Sequence, residues 1–271
     1  MQASRIEKKF KDLANRKRSG LGIFITACDP NLITSQTILE NLPSAGADFI
    51  ELGMPFSDPM ADGPSIQLSS IRALNAGASL KKILLMVKKF RLKDNITPLI
   101  LMGYFNPIYS YGVEKFLKDA KNSGVDGFII VDLPPEEDEE FCIPALKEGL
   151  DFIRLVTPTT NNERLKKIIK NGKGFIYYVA VTGITGTKKS PANLIKKAVK
   201  NIKTITDLPI AVGFGIRSTK QVEENSKIAD ASIVGSHIID IIEKSFLQNN
   251  KLQNKIVNAI LKEVKQLSSV L

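Results

Sequence analysis

Short, nearly continuous apolar runs recur along the chain, separated by longer stretches in which apolar and charged residues follow a helical spacing. The runs are Leu21 to Thr26, Asp48 to Leu52, Pro98 to Met102, Gly127 to Val131, Phe152 to Thr157, Phe175 to Ala180, Pro209 to Val212 and Ala231 to Val234. Rich in Ile, Val, Leu and Phe, they read as parallel strands buried on both faces. The intervening segments read as helices, some with a glycine just past the end: Ile33 to Pro43, Val113 to Asn122 before Gly124, and Glu137 to Glu148 before Gly149. Eight such β/α units in 271 residues predict a (β/α)8 TIM barrel. A doubly wound open sheet would need fewer strands and usually an early glycine-rich turn, and none follows the first run. Two further helices are predicted outside the eight units. One, near the N-terminus, carries Ile6, Phe10 and Leu13 on one face and is placed to cover the barrel's bottom. The other, Lys251 to Leu267, carries Leu252, Ile256, Val257, Ile260 and Val264. Without a linker or low-complexity stretch, residues 1–271 read as one domain.

Composition narrows the function classes. No run of about 18 uncharged apolar residues is present, so no membrane-spanning helix is predicted. The N-terminus lacks the apolar core of a signal peptide, and Glu7 and Asp12 make it a poor transit peptide. The expected location is the cytoplasm of a bacterium, or the plastid stroma if the chain is plastid-encoded. Cys28, Cys142 and the single His237 offer neither a disulfide framework nor metal-ligand spacing. The net charge of +10 is spread through helical pairs such as Lys81-Lys82, Lys88-Lys89 and Lys196-Lys197, with no basic stripe interleaved with aromatics, which argues against nucleic acid.

Barrel chemistry collects at the C-terminal ends of strands. Those ends carry Glu51, Gly103-Tyr104, Asp132, Thr157, Gly213 to Gly215 and Gly235-Ser236, and no lysine. Schiff-base chemistry needs a desolvated lysine there and metal chemistry needs histidines, so carboxylates are left to carry proton transfer. Glu51 ends the second run, and Asp62 follows eleven residues later on a segment punctuated by Gly53, Pro55 and Pro59, which reads as an ordered loop. Phe24, Phe49 and Leu52 are placed to form an apolar wall that would raise a carboxyl pKa. Three glycine-marked segments, Gly183 to Gly186, Gly213 to Gly215 and Gly235-Ser236, offer backbone N–H groups to a phosphate; the last opens a helix. Each alone would pass for an ordinary turn. The polar stretch Val181 to Leu194 reads as a lid over the site.

The string from Glu51 to Gln67, ELGMPFSDPMADGPSIQ, closely resembles the signature of the tryptophan synthase alpha chain family, and the resemblance extends from about Phe10 to Leu247. It implies a carbon–carbon lyase that cleaves indole-3-glycerol phosphate to indole and glyceraldehyde 3-phosphate in tryptophan biosynthesis, with Glu51 as acid/base and Asp62 as second carboxylate. It implies Gly186, Gly215, Gly235 and Ser236 as phosphate ligands. Phe24, Tyr177, Phe214 and Ile233 would contact the substrate, and Thr185 would pack near Asp62. Pro55, Asp58, Pro59, Asn106, Pro107 and Tyr111 match loops that the family packs on its beta chain, in a tetramer of two alpha and two beta chains. No cofactor is expected in this chain; pyridoxal phosphate would belong to the beta chain. Departures from the family pattern are Cys28 for a usual glycine, Ala180 for a common serine, Lys188 and Lys189 in the lid, and His237 after the phosphate serine. Other readings are a stand-alone indole-glycerol-phosphate lyase, a non-catalytic activator of a beta chain, and a related phosphate-binding barrel isomerase.

Overall fold

The computed structural model describes residues 3–180, 192–213, 215–248 and 252–271. Among the described residues nine parallel strand segments run β1 (Gly20–Thr26), β2 (Phe49–Gly53), β3 (Leu99–Gly103), β4 (Gly127–Ile130), β5 (Asp151–Phe152), β6 (Arg154–Val156), β7 (Ile176–Val179), β8 (Ile210–Gly213) and β9 (Ala231–Val234). Their order in the sheet is β5-β4-β3-β2-β1-β9-β8-β7-β6. Its two ends, β5 and β6, are separated in the chain by Ile153 alone, so the sheet closes on itself and the fifth predicted run is one strand with a break. The result is a TIM barrel, and closure rules out the open-sheet alternative.

The helices are α1 (Arg5–Asn15), α2 (Leu32–Asn41), α3 (Pro64–Asn75), α4 (Leu80–Arg91), α5 (Phe105–Tyr111), α6 (Val113–Ser123), α7 (Cys142–Lys147), α8 (Asn162–Ile169), α9 (Ala192–Lys203), α10 (Thr219–Ser226), α11 (Ser236–Gln248) and α12 (Gln253–Ser268). The predicted helix from Glu137 to Glu148 is a correction: a 3-10 turn over Pro135–Glu140 gives way to α7 across Phe141, whose φ is −149°. Pro144 has no N–H to donate and stands in the first turn of α7, where none is required. The predicted lid is also shortened, because Ala192 to Leu194 already belong to α9; residues 181–191 lie outside the described residues.

The helix α1 buries Ile6, Phe10 and Leu13. The Phe10 ring lies 5.8 Å from that of Phe49 and 5.3 Å from that of Phe175, at the strands' N-terminal ends, so α1 plugs the bottom of the barrel as expected. In α12, Ile256, Val257, Ile260 and Val264 are buried, whereas Leu252 precedes the helix and is exposed. Three carboxylates clamp successive elements at the bottom. Asp48 accepts the Leu21 N–H at 2.8 Å, Asp126 that of Leu99 at 2.8 Å and Asp230 that of Ile210 at 2.7 Å. Each satisfies the first N–H groups of one strand from the loop that opens the next. Among the described residues no helix is long and apolar enough to cross a membrane.

Candidate active site

At the C-terminal ends of the strands a cleft opens, lined by apolar side chains with a few polar groups among them, the make-up of a small-molecule site. Glu51, on β2, reaches its floor, because side chains alternate along a strand: Phe49, Glu51 and Gly53 face the barrel interior. Gly53 leaves room for Phe24, since a Cβ there would sit 2.6 Å from the Phe24 ring. Glu51 is 1 % exposed, and among the described residues neither carboxyl oxygen has a hydrogen-bond partner. Burial pushes its pKa up to about 8, so it holds its proton at neutral pH.

The loop of residues 54–63, neither helix nor strand, carries Asp62 over the same cleft. The Tyr104 hydroxyl donates to Asp62 Oδ2 at 3.0 Å and accepts the Ala61 N–H at 3.0 Å. The Phe56 ring packs 5.4 Å from that of Tyr104, anchoring the loop to the start of α5. Burial raises Asp62 to about 6, against the Tyr104 hydrogen bond, which favours the ionised form. Tyr104 was visible in the sequence only as a strand-end residue; nothing in its spacing tied it to Asp62, forty-two positions away.

The apolar wall differs in part from expectation. Phe24, Ile66, Met102 and Tyr177 line the cleft. Phe49 sits a layer lower with Phe10 and Phe175, and Leu52, one residue past Glu51, alternates to the helix-facing side. The Tyr177 phenol is raised well above its ordinary pKa, by burial and then by the Glu51 carboxylate. Gly213 makes space for that ring, since a Cβ at 213 would collide with it. Ile233 is buried inside the barrel beside Gly22 and does not line the cleft.

Gly215, Gly235 and Ser236 border the same cleft, Gly235 beside Phe24. Gly215 has φ +80°. The helix α11 begins at Ser236, and its first internal bonds run from Ile238 and Ile239 to the Gly235 carbonyl. The N–H groups of Ser236 and His237 therefore open the helix, where an anion is favoured. The His237 ring turns away, with Nε2 2.8 Å from Glu263 on α12. Thr185, Gly186 and Phe214 lie outside the described residues, as do Lys188 and Lys189. Cys28 holds φ +67°, the region where the resemblance places glycine.

The chain matches the profile described as "Tryptophan synthase alpha chain" over residues 10–269. This chain belongs to that family. It resembles tryptophan synthase subunit alpha from Legionella pneumophila at 35% identity, covering 99% of this chain and 98% of that one, with a TM-score of 0.90. An Aquifex aeolicus protein is 33% identical over 99% of both chains, with a TM-score of 0.89. A chain of Mycobacterium tuberculosis tryptophan synthase in its aminoacrylate-bound form is 27% identical over 98% of this chain and 99% of that one, with a TM-score of 0.86. Family membership makes the chain an alpha subunit of tryptophan synthase and a lyase-type enzyme of tryptophan biosynthesis. Arg217, another cleft-lining residue, carried no signal in the sequence.

The six residues that the resemblance assigns to docking fall on one rim. Pro55, Asp58 and Pro59 lie after β2 and Asn106, Pro107 and Tyr111 after its neighbour β3, with Asp58 and Asn106 exposed and the other four half-buried. Met60 between them is 85 % exposed. Tyr111 donates to Asp119 at 2.7 Å, and its ring packs on Phe116.

Proposed function

We propose that the chain cleaves indole-3-glycerol phosphate to indole and glyceraldehyde 3-phosphate. The observation that carries this reading is a pair of carboxyl groups in one cleft whose surroundings push them to opposite sides of neutrality, Glu51 to about 8 and Asp62 to about 6. At pH 7 one is an acid and the other a carboxylate. Glu51 gives its proton to indole C3, which places positive charge on the ring nitrogen beside the Asp62 carboxylate. The carbon–carbon electron pair returns to the ring as the adjacent hydroxyl loses its proton to the Glu51 carboxylate and becomes the aldehyde. One proton enters and one leaves, so Glu51 ends as it began. Such acid–base help is worth roughly 10²- to 10⁴-fold. Phe24, Met102 and Tyr177 suit the flat apolar indole, and the N–H groups at Gly215, Gly235 and Ser236 suit the phosphate.

The chain needs no cofactor of its own for these steps. The rim carrying Pro55, Asp58, Pro59, Asn106, Pro107 and Tyr111 is assigned to a tryptophan synthase beta chain, in a tetramer of two alpha and two beta chains, with pyridoxal phosphate in the partner. A paired acid and carboxylate speaks for a catalyst over a silent activator. The test is indole release from indole-3-glycerol phosphate, with and without a beta chain. Release that Glu51→Gln abolishes supports the reaction; no release under either condition rejects it, and full activity without any beta-chain binding supports the stand-alone lyase.

A further inference from the structure

Arg217 has no part in the proton transfers above, yet it lines the same cleft as Glu51, Asp62, Gly215, Gly235 and Ser236. No other described residue lining that cleft is cationic. It follows Gly215 by two residues, and its Nη1 donates to Asp240 Oδ2 at 2.8 Å. Asp240 lies on α11 four residues after Ser236, hence on the same face one turn further along. The pair therefore holds a guanidinium beside the opening turn of α11. A guanidinium carries five N–H donors in a planar fork, and Asp240 engages one of them here.

We propose that Arg217 is the anion-specificity residue of this cleft: held in reserve by Asp240, it turns its free donors onto a dianionic phosphate seated at Gly215, Gly235 and Ser236. The inference rests on the phosphorylated-substrate reading above and adds the group that selects a dianion. Backbone N–H groups and a helix dipole attract any anion, with only about half a charge at the helix end. A full cation gains twice as much from a dianion as from a monoanion. It also offsets the repulsion that the Asp62 carboxylate exerts on a phosphate in the same cleft. Asp240 is not stranded when Arg217 turns. Its side chain is 33 % exposed, so water can take the place of the guanidinium.

The test uses the full chain with its beta chain and reads three quantities: KM and kcat for indole-3-glycerol phosphate, Kd for glycerol 3-phosphate, and Kd for indole. Arg217→Gln is expected to raise KM and the glycerol 3-phosphate Kd about tenfold, as for loss of a charge-assisted hydrogen bond, with kcat/KM falling chiefly through KM. Indole affinity stays at the wild-type value, and Arg217→Lys recovers part of the phosphate affinity. Asp240→Asn, which removes the competing carboxylate, binds glycerol 3-phosphate as tightly as wild type or tighter, an outcome that a purely structural ion pair would not produce. Unchanged glycerol 3-phosphate affinity in Arg217→Gln overturns the inference, as does an equal loss of indole affinity. A wild type that binds glycerol 3-phosphate in an Arg217-dependent way yet releases no indole keeps the inference and rejects the reaction. A wild type that does not bind it at all overturns both.

Discussion

Glu51 can ionise only by placing a charge where neither oxygen has a described partner. Its folded-state pKa of about 8 lies above the ordinary 4.5, so between those values the folded chain holds a proton that the unfolded chain has released. Stability must fall as pH rises through that window, by up to several kcal/mol. Thermal unfolding should accordingly show Glu51→Gln more stable than wild type at pH 8, with little difference near pH 4.5; equal midpoints at pH 8 would contradict the raised pKa. The same two groups set the rate profile. Cleavage needs Glu51 protonated and Asp62 ionised, so kcat/KM, which reports the groups of the free enzyme, should decline below about 6 and above about 8. Tyr104→Phe removes the donor that favours ionised Asp62, so the acidic limb should move upward while the basic limb stays in place. A profile identical to wild type would remove Tyr104 from the site.

At the scale of elements, the clamps and helix openings make separable predictions. The Asp126 carboxylate binds the Leu99 N–H at 2.8 Å, Arg91 at 2.6 Å and Arg5 at 2.9 Å, at the end of the barrel away from the cleft. Asp126→Ala would leave Arg91, 8 % exposed, without its carboxylate, which should cost about 3 kcal/mol in denaturant unfolding. Because the clamp lies far from the cleft, kcat and KM of the folded fraction should not change. At the other end, Gly235→Val places a branched side chain where a Cβ alone would already lie 3.3 Å from Phe24. KM for the phosphorylated substrate should rise at least tenfold with kcat little affected, since the obstruction falls on the phosphate N–H groups rather than on either carboxyl group. Wild-type KM in that variant would place the anion elsewhere.

For the whole molecule, the loop of residues 54–63 does two jobs. Asp62 lines the cleft, while Asp58 and Met60 are exposed on the rim assigned to the beta chain. A partner that grips this loop would hold Asp62 in place, and by linkage a ligand that orders Asp62 would tighten the complex. Such coupling is typically about 1 to 3 kcal/mol, or roughly five- to 150-fold in affinity. Beta-chain affinity measured with and without an indole-glycerol-phosphate analogue should differ by such a factor, and Asp58→Ala should weaken the complex in both conditions. Equal affinities with and without the analogue would show docking and catalysis to be independent.

The strands were legible in the sequence because burial on both faces requires apolar residues at every position, a pattern that needs no knowledge of partners. The two outer helices were legible through their apolar stripes, and the carboxyl pair through a string specific enough to name its family. Where local signals compete, periodicity fell short. A break at Phe141 divided a helix read as continuous, and Ile153 interrupted a strand whose composition gave no hint of it. Only the closed barrel decided which side chains share a cleft. It set Tyr104 against Asp62, moved Phe49 to the floor below and Leu52 to the outer face, and brought Arg217 beside Ser236. A residue's type is written in the chain, but its pKa and its neighbours depend on burial and on contacts between distant positions. The residues of this site span Phe24 to Ser236, and their meeting is a property of the closed sheet.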